Sequence, residues 1–302
     1  MSFYYLSEEM GLALNDILGT VCSHNKDFSR EDISITWINY KSDFKKVFKG
    51  FGFGINNKKM IYPASVVKLV YGLAAYHWIK KGRLLLTDEI IEAVRKMLSF
   101  SSNNATSFLI DLLTGTTSGP CIEGELWQNW KYQRSIINDW LYDLSWDELT
   151  GINCCQKTWD DEPFGREKEF YGFKNKNRNL MTTDSAARVL EEIMINIDYQ
   201  NNDLHLRNFL KRDLNKDFLK NDSLNQVDGF LGAGLPDSIN LWSKAGLMSK
   251  VRHDSAWWIN RQSLQTLLVI FCNGDKYSKD TSFLPLIAKE IYEYNKRFII
   301  KY

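Results

Sequence analysis

Apolar positions Met10, Leu14, Ile17, Leu18 and Val21 recur three and four residues apart over 7–21. That spacing predicts an amphipathic helix, with Ser7 placed to cap its start. Ile33, Ile35 and Trp37 then alternate with Ser34 and Thr36, the period of a strand with one buried face. A second strand is expected around 46–54. Its Gly50, Gly52 and Gly54 have no βαβ context, so close strand packing explains them better than a nucleotide loop. From Ala64 to about Leu214 the periodicity is nearly all helical, with segments near 65–80, from Thr87-Asp88-Glu89 onward, and near 105–113, 124–144, 184–195 and 203–214. A loop-like stretch lies between about 150 and 182. Strand character returns at 239–244, 254–260 and 265–272, and a last helix carries Ile287, Ile291, Tyr294 and Phe298 on one face. The sheet is therefore assembled from both ends of the chain, and a helical block interrupts it.

Composition narrows the partners. The 302 residues are 44% hydrophobic and 25% charged, enough apolar material for a substantial core, and ten tryptophans suggest broad packed interfaces. A net charge of +1 offers no electrostatic reason to bind nucleic acid or an anionic membrane. Glu8 and Glu9 interrupt the region where a signal peptide would be apolar, and no stretch is long enough to span a bilayer, so a cytoplasmic location is expected. Five cysteines, at 22, 121, 154, 155 and 272, show neither a CxxC pair nor zinc spacing and read as free thiols. No metal or other cofactor is expected.

The most informative segment is Ser65-Val66-Val67-Lys68, followed by Leu69-Val70-Tyr71-Gly72-Leu73-Ala74-Ala75-Tyr76. Apolar residues cover almost every face of this helix, which marks it as buried. Lys68 is its only charge before Lys80. Burial and the positive end of the helix both disfavour an ammonium there and lower its pKa. Ser65, one turn earlier on the same face, sits where backbone N–H groups can stabilise an oxyanion. A serine beside a proton-accepting lysine is an activated nucleophile. The alternative is a capping serine with a lysine that snorkels outward, and this segment alone does not separate the two.

Two further motifs favour catalysis. Ser101-Ser102-Asn103 precedes a helical run, and a late strand leads into Lys244-Ala245-Gly246. S-x-x-K, S-x-N and K-x-G thus occur in order, at a helix start, an inter-helix loop and a strand. In this reading Ser101 relays a proton to the leaving group, and the Asn103 amide binds a substrate amide. Lys244 supports Ser101 and a substrate carboxylate. Gly246 lets substrate approach the strand, and the N–H of Leu247 completes an oxyanion hole opposite that of Ser65.

These residues make the chain resemble the class A β-lactamase-like serine hydrolases of the β-lactamase/penicillin-binding protein superfamily. Gly234-Leu235-Pro236 and Asn179-Leu180-Met181-Thr182-Thr183-Asp184-Ser185-Ala186-Ala187 extend the likeness. The resemblance implies an α+β fold: an antiparallel sheet flanked by helices, with an inserted helical domain and an active-site cleft between them. Residues 1–63 and 216–302 would form the sheet domain and 64–215 the helical one.

Three departures qualify the family pattern. Ser65 and Ser101 are only 36 residues apart, Ala245 replaces the usual Thr or Ser, and no clean Glu-x-x-Leu-Asn is present to hold a deacylating water. Glu162 and Glu167 are candidates for that role, Glu167 by its better offset from Thr182, with solvated loop charges as the alternative. Arg252 is a candidate anchor for the substrate carboxylate that Ala245 cannot hold; an exposed strand arginine is the alternative. His253 and Asp254, being adjacent, should point to opposite faces, which argues against a Ser-His-Asp triad.

The expected activity is acyl-enzyme hydrolysis of a small amide or β-lactam, with an amidase, esterase or D-Ala-D-Ala-type peptidase as the alternative enzyme. A ligand-binding scaffold without turnover is the non-enzymatic alternative.

Overall fold

The computed structural model describes residues 2–23, 28–40, 42–43, 46–47, 49–197, 204–219, 225–260 and 263–299. The chain opens with β1 (Tyr5–Leu6), α1 (Glu8–Ser23) and β2 (Ile33–Tyr40). The two-residue strands β3 (Ser42–Asp43) and β4 (Lys46–Val47) pair with each other, and β5 (Phe51–Ile55) rejoins the main sheet. The helical block comprises α2 (Lys68–Lys80), α3 (Asp88–Ser99), α4 (Asn103–Thr114), α5 (Gly124–Asp143), α6 (Gly165–Tyr171), α7 (Thr183–Glu191) and α8 (Leu206–Leu210). After β6 (Lys211–Arg212) and α9 (Lys216–Leu219) come β7 (Asn240–Met248), β8 (Val251–Ile259), β9 (Gln265–Asn273), α10 (Asp275–Lys279) and α11 (Phe283–Ile299). Seven strands form one sheet in the order β1-β5-β2-β9-β8-β7-β6, antiparallel except where β1 meets β5.

The caps explain where several helices start. Thr87 accepts from the N–H of Ile90 to open α3, Ser102 from that of Ala105 to open α4, and Thr182 and Ser185 form a reciprocal capping box on α7. Two hydrophobic cores lie on opposite faces of the sheet. α1 and α11 cover one face, over Ile35, Trp37, Ala256 and Ile270. The helical block covers the other, with α2 at its centre and α7 against the strands, over Tyr40, Trp257, Val269 and Phe271.

Two expectations change. β2 is buried on both faces rather than one, because α7 lies over its polar side; there Thr36 donates to Asp184 (2.8 Å) and contacts the Thr183 hydroxyl (2.9 Å). The helix expected over 203–214, whose first residue lies outside the described ones, is only one turn long. Lys211 and Arg212 instead pair with Trp242 and Leu241, adding an edge strand from within the 64–215 segment. Arg212 ties this edge strand to its surroundings: its guanidinium donates to the carbonyls of Leu98 and Ser243.

Candidate functional site

The segment before α2 is a tight 3₁₀ turn, Ala64–Val67, not the first turn of a regular helix. Ala64 has a positive φ of 47°, a costly conformation for a residue with a Cβ, immediately before Ser65. Ser65 is half-buried, and its hydroxyl has no hydrogen-bond partner among the described residues. The turn carries no side-chain cap bond, so Ser65 is not the capping serine of the alternative reading.

Lys68 does not snorkel. It is fully buried, and its Nζ donates to the Ser101 carbonyl (2.6 Å), the Asn103 Oδ1 (2.7 Å) and the Ser101 Oγ (3.3 Å). Burial pulls its pKa down to about 7, against an opposing pull from Asp160. Ser101, with a positive φ of 59°, turns its hydroxyl between two lysines: Lys244 Nζ lies 3.0 Å from the same Oγ. Lys244 also donates to Gln226 Oε1 and the Ala245 carbonyl, and burial, with Lys68 and Arg212 nearby, holds its pKa well below the usual value. Lys68, Ser101, Asn103 and Lys244 therefore form one hydrogen-bonded chain across three elements.

Gly246 seats the turn that carries Ser65 against β7, beside that chain, with no hydrogen bond from the Ser65 hydroxyl to it among the described residues. A Cβ on Gly246 would stand 2.9 Å from the Pro63 carbonyl oxygen and 3.2 Å from Val66 Cγ2, so only glycine lets β7 lie directly against the turn that carries Ser65. His253 holds the chain just before that turn. Its Nδ1 accepts from the Cys272 N–H (3.0 Å), which leaves Nε2–H to donate to the Tyr62 carbonyl (2.9 Å). Burial depresses its pKa to about 4, so it is neutral. Asp254 points the other way, accepting from the N–H of Leu231. The two form no triad with Ser65.

The open edge of β7 supplies a further donor. Ala245 directs its N–H and carbonyl outward, to Gln226 and Lys244. β6 pairs with β7 only at Leu241 and Trp242. Leu247, two residues on, therefore presents its N–H at the same open edge.

Two expected residues lie elsewhere. Arg252 sits on the opposite face of β8, where its guanidinium donates to the Ser278 and Gly229 carbonyls over the Phe230 ring. Strand alternation sends it there: Lys244 pairs with Ser255, so the odd-numbered residues of β8 face the helical block and Arg252 cannot. Glu167 is completely buried, held by both terminal nitrogens of Arg134 (2.6 and 3.1 Å) and by the Ser118 hydroxyl (2.8 Å). Its oxygens are committed to a structural ion pair. Glu162 is exposed and pairs with Lys168 at 3.2 Å.

The carboxylate that does reach the chain is Asp160, which accepts from Asn103 Nδ2 and acts electrostatically on Lys68. Sequence reasoning missed it because Asp160-Asp161-Glu162 has no periodicity to say which acid turns inward. Gln226 was missed as well. It accepts from Lys244 and the Ala245 N–H while donating to the Leu98 and Ser99 carbonyls, and nothing in its local sequence signals this.

A sequence model of the β-lactamase enzyme family matches residues 89–295. The chain belongs to this family. Membership makes it a hydrolase of the serine-enzyme class, and the match spans the Ser101 loop, β7 and most of α11 while beginning after Lys68. The fold of the β-lactamase family extends over the remainder. The chain is similar to a mutant of PBP-A in an acyl-enzyme complex with penicillin G (13% identity, TM-score 0.63, covering 95% of this chain and 97% of that one). It is also similar to a β-lactamase from Chitinophaga pinensis (13%, 0.65, 95% and 99%) and to the class A β-lactamase of the last common ancestor of Gram-negative bacteria (15%, 0.62, 93% and 99%). At these identities the likeness is one of fold. No curated protein matches the sequence.

Proposed function

We propose that this β-lactamase-family chain is an acyl-transfer hydrolase in which Ser65 attacks the carbonyl of a small β-lactam or amide. The observation that carries this reading is the bonded chain Lys68–Ser101–Lys244, with Gly246 seating β7 against the turn of Ser65. Lys68, half-neutral near pH 7, takes the Ser65 proton as the Oγ–carbonyl bond forms. The N–H groups of Ser65 and Leu247 hold the oxyanion. Lys68 passes the proton to Ser101, whose own proton goes to the leaving nitrogen as the carbonyl–nitrogen bond breaks. Lys244 and Lys68 flank the Ser101 oxygen and keep it placed for that transfer. Asp160 is the carboxylate placed to accept a proton from the water that releases the acyl group.

Ala245 offers no hydroxyl for a substrate carboxylate and Arg252 faces away, which favours an amidase or esterase of an uncharged substrate as the second reading. Intact-mass measurement after incubation with benzylpenicillin and with a fluorophosphonate separates the two. A penicilloyl adduct mapped to Ser65 supports the first, and a phosphonyl adduct alone supports the second. Full labelling of Ser65→Ala, or an adduct on Ser101, would remove Ser65 from the mechanism.

A further inference from the structure

Where β7 meets the Ser101 loop, two donors converge on one spot. The Lys244 amine and the backbone N–H of Ala245 both point at Gln226 Oε1, at 2.5 and 3.1 Å. Such a pair is a cradle for a carboxylate oxygen, and a carboxylate brought there would hold the amine protonated. The chain fills the cradle itself. Gln226 Nε2 donates to the Leu98 and Ser99 carbonyls at 3.2 and 2.8 Å. Donors at one end and acceptors at the other fix the orientation of the carboxamide and use all of its hydrogen-bonding capacity.

The basic groups around Gln226 are engaged in the same way. The other two positions on the Lys244 nitrogen face Ser101 Oγ (3.0 Å) and the Ala245 carbonyl (2.8 Å). The Arg212 guanidinium is turned to the carbonyls of Leu98, Ser99 and Ser243. Gln226 keeps 6% of its surface exposed and Lys244 none, so removing the carboxamide opens the cradle to solvent. Ser101, the proton donor to the leaving atom, shares the Lys244 nitrogen with Gln226, so whatever is bonded to that atom extends beside the carboxamide. A carboxylate there would have to expel a fully bonded amide or lie against its oxygen, and either is costly.

We propose that Gln226 is a specificity-determining residue: by filling this cradle it restricts the site to substrates whose leaving portion carries no carboxylate. That the leaving portion lies here rests on the acyl-transfer reading; the filled cradle does not. The probes are 3-carboxyphenyl acetate and 3-(methoxycarbonyl)phenyl acetate, which differ by one charge on the leaving phenol. Phenol release by the full chain is corrected for release by Ser65→Ala and divided by each ester's alkaline hydrolysis rate. It should favour the neutral ester by about tenfold or more, the size of one charge-assisted hydrogen bond. Gln226→Ala should lower both rates and shift their ratio towards the acid by at least about tenfold. Should Gln226→Ala not fold, Gln226→Asn, whose shorter side chain draws the carboxamide out of the cradle, should shift the ratio the same way. A wild-type preference for the acid, or a ratio that survives substitution while both rates fall together, overturns the proposal. In parallel, benzoate titrated calorimetrically should bind Gln226→Ala at least about tenfold more tightly than wild type, and equal binding overturns the proposal. Equal phenol release by wild type and Ser65→Ala would count against the acyl-transfer reading alone, because the benzoate titration still decides the cradle.

Discussion

In the proposed mechanism a single buried amine sets the chemistry. Lys68 titrates near 7 in the folded chain and near its ordinary value of 10.5 when unfolded. Acylation of Ser65 should accordingly rise with pH through about 7 and then level off, and Lys68→Met should label about 10²–10⁴ times more slowly. Stability responds to the same shift. Between the two values the unfolded state binds more protons, so the contribution of Lys68 to stability grows as pH rises from about 7 towards 10 and is flat below 7. Urea melts of wild type and Lys68→Met should therefore diverge in favour of wild type by about 1–3 kcal/mol between pH 7 and 9.5. A difference that does not change with pH would mean that Lys68 stays charged in the fold.

At the scale of elements, the stretch from Lys157 to α6 contains two acids with opposite tasks. Glu167 ties α6 to Arg134 of α5, and Lys157 ties the start of the stretch to Asp111 of α4 at 2.8 Å. Asp160, between these anchors, reaches Asn103. Glu167→Gln leaves buried Arg134 with Asp111, at 3.4 Å, in place of its close bidentate partner and should cost about 2–4 kcal/mol of stability, read in a denaturant melt. Asp160→Asn breaks no buried pair and should leave stability within about 1 kcal/mol while the penicilloyl adduct persists longer, read by mass over time. Rapid release of the adduct from Asp160→Asn would show that another group activates the water.

Across the whole molecule, the site exists only where the sheet meets the helical block. Gln226 joins the two, with its carbonyl on Lys244 and β7 and its amide on the end of α3 just before Ser101. Gln226→Leu has similar volume and no polar atoms. It should leave Lys244 short of an acceptor and the Ser101 loop unpinned, slowing Ser65 labelling by about tenfold or more with a stability loss of about 1–3 kcal/mol. Unchanged labelling by a fluorescent penicillin in this variant would show that the Ser101 loop keeps its position without the bridge.

Periodicity and spacing were enough to place α1, α2, the late strands and the order of Ser65, Lys68, Ser101, Asn103 and Lys244 along the chain, because each depends on neighbours within a turn or a strand. The apolar run around Lys68 likewise foretold a buried, depressed amine. Tertiary structure decided which side chains meet. Glu167 and Asp160 are equally plausible in a polar loop, but only packing against α5 commits one to Arg134 and leaves the other for Asn103. Arg252 was one residue out of phase with Lys244, a fact set by the pairing register of β7 and β8 and invisible in either strand alone. Gln226 and Arg212 act through backbone carbonyls of Leu98 and Ser99, more than a hundred residues away in sequence. No local pattern encodes such contacts, because their geometry comes from the fold that surrounds them.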